Sequence, residues 1–331
     1  MNNNPHSVLI IGSTGVLGST IAAAFTEQQW TVLRGVRASD DAPGTVHVDL
    51  DDPDSVTQAM RQSELTVTSV PDHNCVAENI ALKQGGILLN VSTLDSEHTR
   101  AMRQQSNATG TVILNTGLAP GVTNLVVADL LQQYPEADTI EVALGFSTKG
   151  MGGRAGVEFV YHNLTSGTHD TAVIPFPRPI GRRRCIAFAE QEPGWMGACA
   201  DGRQVHIYAC FDSRPLHTGI RALNKIGLLS KIPSAPFMIG HGSVPKSPTT
   251  ESIVHWVSVK KQDQLLAART VECRGDYLSC ARATTIFAAA ALDADLRANS
   301  GCFSSEEVFG LAELRPELSR AGIDVVDRTS G

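Results

Sequence analysis

The residues best placed to do chemistry stand near the start of the chain, where Val8 to Phe25 reads VLIIGSTGVLGSTIAAAF. An apolar run enters three glycines, Gly12, Gly15 and Gly18, and small and apolar residues follow, which predicts a buried strand, a tight turn and a helix. Glycines in such a turn let peptide N–H groups come close to a pyrophosphate, and the helix behind them turns the positive end of its dipole toward the phosphate charge. The spacing is GxxGxxG rather than the commoner GxGxxG, and any tight strand-to-helix turn also uses glycine. Its position after a strand and before a helix is the context that dinucleotide binding requires. The expected contacts are Gly12, Ser13, Thr14, Gly15, Val16 and Leu17.

Coenzyme choice is set at the end of the next strand, WTVLRGV from Trp30 to Val36. A carboxylate there would accept the ribose 2′-OH of NAD, whereas an arginine suits the 2′-phosphate of NADP. Arg37 occupies the position, with Arg34 nearby and no carboxylate before Asp40, so NADP is favoured over NAD. Asp49 and Leu50 at the end of a third strand, Thr45 to Leu50, are further candidate contacts; Asp49 could face the adenine amino group or simply charge a helix N-terminus. Val70 and Pro71 after a fourth strand, Ser92 after a fifth and Gly117 after a sixth complete the expected coenzyme site.

For proton transfer three residues stand out. His73 lies just past the fourth strand, with an ordinary pKa of about 6.5. Asp95 follows the fifth strand, where it could equally cap a helix. His162 falls in AGVEFVYHNLT, which reads as a strand of a later domain. Cys75, in DHNCVAE, is either a nucleophile or a small buried residue opening a helix. A tyrosine activated by a lysine four residues on is absent, because Tyr134, Tyr161, Tyr208 and Tyr277 are followed at that distance by Asp138, Thr165, Asp212 and Ala281.

These residues need a scaffold of alternating strands and helices. Strands are expected at Leu65 to Val70, Gly86 to Val91 and Thr111 to Asn115, with helices from Pro53, from His73 to Lys83 and from Asp95 to Asn107. The pattern is α/β, a Rossmann-type doubly wound parallel sheet whose ligands bind at the carboxyl ends of the strands. From about Asp138 to Cys273 the character changes to successive strands with one good helix, Arg214 to Leu229, which implies an inserted, mostly antiparallel α+β domain. The expected division is 1–125 plus 274–331 for the nucleotide domain and 126–273 for the second. The turn-rich stretch Pro233 to Thr250 is a candidate lid or interface loop.

The segments IIGSTGVLG, SVPDHNCVAENIALKQGGILLNVST, GLAPGVTNL and ALNKIGLLSK together resemble the saccharopine dehydrogenase-like (saccharopine reductase) family of NADP(H)-dependent oxidoreductases. The alanine-rich stretch Gly275 to Asp293 and the tail from Gly301 extend the resemblance toward the C-terminus, and within that tail Ser304 and Glu307 have capping-box spacing for a short helix. The resemblance implies reduction of a C=N bond, formed between an amine and a carbonyl compound, to a secondary amine. It also implies a second domain that covers the nicotinamide, holds a small amine or amino-acid substrate and makes a homodimer. Carboxylates of such a substrate would need cations, and Lys149, Arg154, Arg178 and the run Arg182 to Arg184 are available, although the run also reads as a solvated loop. The alternative is a non-catalytic NADP(H)-binding sensor whose second domain binds a protein.

The bulk properties agree with a soluble enzyme. The chain has 331 residues, a net charge of −7 and a mean hydropathy of −0.04, with no long basic run for nucleic acid or an anionic membrane surface. No charged opening segment leads into an apolar core, and no apolar run reaches the ~18 residues of a membrane span; a cytoplasmic location is expected. Seven cysteines are scattered without a metal-ligand pattern, so no metal is expected.

Overall fold

A computed structural model describes residues 5–38, 42–72, 74–92, 94, 96–148, 154–166, 170–188, 196, 199, 202–232, 251–294, 296 and 300–328. The chain divides into two units. One comprises Met1–Asn124, Pro193–Ala198 and Cys280–Gly310; the other comprises Leu125–Glu192, Cys199–Ser279 and Leu311–Gly331.

The first unit is built on seven parallel strands: β1 (Ser7–Ile11), β2 (Thr31–Val36), β3 (Thr45–His47), β4 (Leu65–Thr68), β5 (Ile87–Asn90), β6 (Thr111–Leu114) and β13 (Gly301–Ser304). Their order across the sheet is β13-β6-β5-β4-β1-β2-β3, and every pairing is parallel. This is the doubly wound arrangement, with one strand added at the β6 edge. The chain reverses its direction of winding at β1, between β2 and β4, so a crevice opens at the carboxyl end of β1. Both faces of β1 are covered: Val8, Leu9, Ile10 and Ile11 are all buried, which is why the strand is apolar throughout rather than alternating. The helices are α1 (Val16–Glu27), α2 (Pro53–Met60), α3 (Val76–Gln84), α4 (Ser96–Arg103) and the opening turn of α5 (Val122–Gln133). Proline opens α2 at a position where its missing N–H is not needed, and Asp52 caps it by accepting from the Asp54 amide. The third strand is shorter than its sequence suggests, so Asp49 stands two residues beyond it.

The second unit holds β7 (Thr139–Phe146), β8 (Thr171–Pro175), β9 (Arg182–Ala187), β10 (Gln204–Phe211), β11 (Ser252–Lys261), β12 (Gln264–Arg274) and β14 (Asp324–Arg328), in the order β14-β12-β11-β7-β10-β9-β8. All neighbours are antiparallel except β7 and β10. The long hairpin β11-β12 turns at Gln262 and Asp263, both with positive φ, as a two-residue turn matched to strand twist requires. The helices associated with this unit are the rest of α5, α6 (Arg154–Ser166), α7 (Arg214–Lys225) and α10 (Leu311–Arg320). A further long helix, α8 (Asp276–Asp293), spans the division, and the one-turn α9 (Ser305–Val308) belongs to the first unit.

Two expectations change. The stretch around His162 is helix α6, not a strand. Val157, Val160, Tyr161 and Leu164 fall at i, i+3, i+4 and i+7, and this helical period prevails over the β-branched composition that suggested a strand. The tail also divides differently: residues 311–331 belong to the second unit. There β14 pairs along β12, Arg269 bonds both Asp129 and Asp327, and Arg328 bonds Glu272. Among the described residues, no helix is long and apolar enough to cross a membrane.

Candidate functional site

At the carboxyl end of β1 the three glycines do three different things. Gly12 has φ +86°, and a Cβ there would lie 2.4 Å from Val70 Cγ1 and 2.8 Å from Ser69 Oγ, so a side chain is excluded by both conformation and space. Gly18, inside α1, would place a Cβ 2.1 Å from the Gly12 carbonyl oxygen; its absence lets the helix sit against the turn. Gly15 is the N-cap, and a Cβ there would meet only the Gly12 oxygen, at 3.4 Å. Space is therefore left open at the cap, and among the described residues no side chain fills it.

The amides at this end of α1 match that opening. Gly15 has no side chain to cap them, and the first turn contains no acidic residue. Thr14, Gly15 and Val16 are exposed. An exposed helix N-terminus with free N–H groups and an open approach is a place for an anion. The Gly15 amide is engaged by the Gly12 carbonyl at 3.0 Å, so the residues present fit a pyrophosphate through the Val16 and Leu17 amides, with the side-chain-free face of Gly15 beside it. Ser13 plays another part: it is buried, and its hydroxyl donates to the Gly35 carbonyl at 2.9 Å, tying the turn to β2.

Arg37 follows β2 and is 75% exposed, and its Nε lies 3.7 Å from Asp49 Oδ1. The structure thus brings together the two residues that the sequence offered for opposite ends of an adenosine. Leu50 is half-buried against the core of the first unit. Val70 is half-buried behind Gly12, whereas Pro71 is exposed. His73 and Asp95 lie outside the described residues, as do Lys149 and the stretch 233–250. His162 is exposed on α6; the inward-facing strand position that made it a proton-transfer candidate does not exist. Cys75 is buried and opens α3 with a left-handed conformation, while Asp72 caps that helix by accepting from the Asn74 and Val76 amides.

The carboxyl ends of β5, β6 and β13 carry a polar network around Glu78, Asn90 and Asn115, whose part in it composition and spacing did not single out. Asn90 donates from Nδ2 to Glu78 Oε1 at 2.6 Å and accepts from the Ser92 hydroxyl at 2.9 Å. Asn115 donates to Ser304 Oγ, and that hydroxyl donates to Glu306. Glu78 is completely enclosed, its Oε2 has no partner among the described residues, and burial pushes its pKa up to about 7 despite the bond from Asn90. Asp72 adds a smaller push in the same direction. Ser304 and Glu307, expected from their spacing as a capping box, do close α9: the Ser304 amide donates to Glu307 Oε2 at 2.6 Å.

The loop after β6 is equally constrained. Gly121 has φ +138°, and a Cβ on it would come within 2.0 Å of the Gly117 carbonyl oxygen. The Gly121 amide donates to Asn124 Oδ1 at 3.0 Å. Thr116 donates to the Asn90 carbonyl and accepts at its own carbonyl from Thr284. Gly117 is buried beneath Cys280 and Val91, which makes it a support of the strand end.

With this geometry in hand, comparison with solved structures is informative. The apo, histidine-tagged saccharopine dehydrogenase (L-Glu forming) from Saccharomyces cerevisiae superposes with a TM-score of 0.64, covering 98% of this chain and 100% of that one at 11% identity. The fold is that of saccharopine dehydrogenase. A meso-DAPDH variant from Clostridium tetani E88, solved with DAP, gives a TM-score of 0.51 over 94% of this chain and 99% of that one at 12% identity. By sequence, no protein-family model and no curated protein matches the chain.

Proposed function

We propose that the protein is an NADP(H)-dependent oxidoreductase acting on the C–N bond of a small amine or amino-acid derivative. The observation that carries this reading is the uncapped, exposed N-terminus of α1 behind a turn in which Gly12 and Gly18 cannot bear a side chain and Gly15 leaves the approach open. The fold shared with saccharopine dehydrogenase and with meso-DAPDH, the latter solved with DAP, supports the reaction class.

In this reading, Val16 and Leu17 bind the pyrophosphate through their amides, Gly15 lets it approach, and Arg37 takes the 2′-phosphate, exchanging its exposed pairing with Asp49 for a more highly charged partner. When bound, the nicotinamide supplies or accepts the hydride at the substrate carbon. The chain must then hold the substrate, exclude water and provide one proton for the nitrogen in the direction of reduction. His73 and Asp95 remain the candidate donors that the sequence offers, and the network around Asn90 and Ser92 lies at the carboxyl end of β5, the side of the sheet where that group is needed.

Fluorescence titration with NADPH and NADH tests the first half, and NADPH consumption in the presence of paired amino acids and 2-oxo acids tests the second. The expected result is saturable binding with NADPH preferred, and consumption that needs both the amine and the carbonyl compound. Binding without consumption across such pairs would favour a sensor. Failure to bind either coenzyme would remove the reading altogether.

A further inference from the structure

The arginine run that reads as a solvated loop is strand β9, and it does not stand alone. A cavity of about 210 Å³ lies against it, lined by Arg182, Arg183 and Arg184 and, from α7, by Arg214, His217 and Arg221. The α7 residues are spaced i, i+3 and i+7, and so share one helical face. No carboxylate among the described residues lines the cavity. Among the described residues none of these five guanidinium groups lies within ion-pair distance of an Asp or Glu, whereas Arg37, Arg103, Arg269, Arg315, Arg320 and Arg328 all do.

Two of the lining groups are buried with unused polar atoms. Arg183 is 8% exposed; its Nη2 donates to the Ile180 carbonyl at 2.7 Å and to the Asp212 carbonyl at 3.4 Å, and its Nε has no partner. His217 is 4% exposed, with Nε2 2.7 Å from the Arg184 carbonyl oxygen. The acceptor at that oxygen makes Nε2 the protonated nitrogen, and leaves Nδ1 buried and without a partner. Burial, and then the charges of Arg183 and Arg221, hold the His217 pKa below its ordinary value. The carboxylate of Asp212 is engaged elsewhere, accepting from Thr148, Ser147 and the Ser213 amide. The first turn of α7 contains no acidic residue and its N-cap, Ser213, makes no side-chain bond, so the helix dipole adds to the same positive potential.

Gathering like charges around a partly closed space is unfavourable unless something negative occupies it. We propose that the second unit binds a compact dianion, a phosphate group or a small dicarboxylate, in the cavity between β9 and α7. Guanidinium forks match the paired oxygens of either group. The size sets an upper limit, because the cavity falls below the ~300–1,000 Å³ of sites for drug-sized ligands, and a whole dinucleotide is too large for it. Thr218 adds a hydroxyl at the rim. This site is independent of the coenzyme reading.

Calorimetric titration of the whole protein, without coenzyme and at constant ionic strength set by chloride, tests it with inorganic phosphate and with succinate. Saturable binding of one or both is expected, and the preferred probe identifies the source of the dianion. The double variant R214Q/R221Q alters the α7 side while sparing buried Arg183, and should weaken that binding at least ~10-fold while leaving NADPH titration unchanged. Circular dichroism and the unchanged NADPH titration would confirm that the variant is folded. No saturable heat with either probe, or equal binding by the double variant, would overturn the assignment.

Discussion

The turn after β1 and the cavity beside α7 both concentrate positive potential, and they use different materials. Around the turn there is no lysine or arginine between His6 and Arg34; the potential comes from peptide N–H groups at the end of α1, held in place by Gly12 and Gly18, which cannot bear a side chain. Beside α7 it comes from five guanidinium groups on two elements. A site made of backbone is rigid and admits its ligand closely, but depends on where atoms are missing. One made of side chains tolerates loss of any single group, and depends on charge count. Substitutions should therefore act abruptly in the first unit and gradually in the second.

The largest effect is expected at Gly18. A methyl group there meets the Gly12 carbonyl oxygen at 2.1 Å and cannot be absorbed by a flexible side chain. Gly18→Ala should cost roughly 3 kcal/mol of stability, the upper range for overpacking, and remove measurable coenzyme binding, read by thermal denaturation and by NADPH titration. Gly15→Ala separates the two consequences. Its methyl has only a 3.4 Å contact within the protein, so stability should change by less than about 1 kcal/mol while coenzyme affinity falls ~10-fold or more through obstruction of the approach. Equal effects of the two variants would mean that the open space at Gly15 is not where the ligand sits.

Next in size is the pH response of the first unit. Glu78 has its pKa raised to about 7, chiefly by burial. The folded state therefore holds a proton that the unfolded state releases at about 4.5, and the stability this provides is complete below 4.5 and lost as pH rises through 7. The loss amounts to roughly 3 kcal/mol at ~1.4 kcal/mol per pKa unit. Glu251, pushed up to about 7 by burial and by Asp276, and Asp276, pushed up to about 6 by burial, act in the same direction in the second unit. Denaturant titrations at pH 5 and pH 8 should show wild type weaker at the higher pH, and Glu78→Gln should remove part of that difference and leave the part owed to the second unit. An unchanged difference in the variant would place the whole effect in the second unit.

The same contrast explains what could be read from the chain beforehand. The backbone site was legible because its requirements fall on consecutive residues: an apolar strand, glycines at fixed intervals and a helix. The parallel order of the sheet followed from the alternation of elements, and the capping of α9 from Ser304 and Glu307 alone. Glu78 and Asn90 were not legible, because a glutamate on α3 and an asparagine closing β5 look like surface residues until the fold encloses both. The arginines of β9 could be seen, but not their partners on α7, some 30 residues away; only the packing of β9, β10 and α7 assembles them. Helix α6 was missed because Val157, Phe159 and Tyr161 also alternate like a strand, and the tail because β14 finds its partner more than 50 positions earlier in β12.

The smallest effect lies where the first unit departs from its own design and uses a side-chain charge. Arg37 is mostly exposed and its contact with Asp49 is long, so the pair contributes little to stability, in the range of ~0–1 kcal/mol. If Arg37 selects the coenzyme, Arg37→Ser should weaken NADPH by ~10- to 30-fold, or about 1.4–2 kcal/mol, with NADH almost unaffected because that coenzyme has no 2′-phosphate to lose. Asp49→Asn should do the reverse on a smaller scale: with its competing carboxylate gone, Arg37 is free to meet the phosphate, and NADPH should bind up to ~3-fold more tightly. Opposite signs from the two substitutions would show Arg37 and Asp49 acting as a side-chain selector grafted onto a backbone site. Equal losses of NADPH and NADH in the Arg37 variant would instead make Arg37 a general positive charge, and coenzyme choice would then have to come from elsewhere on the loop after β2.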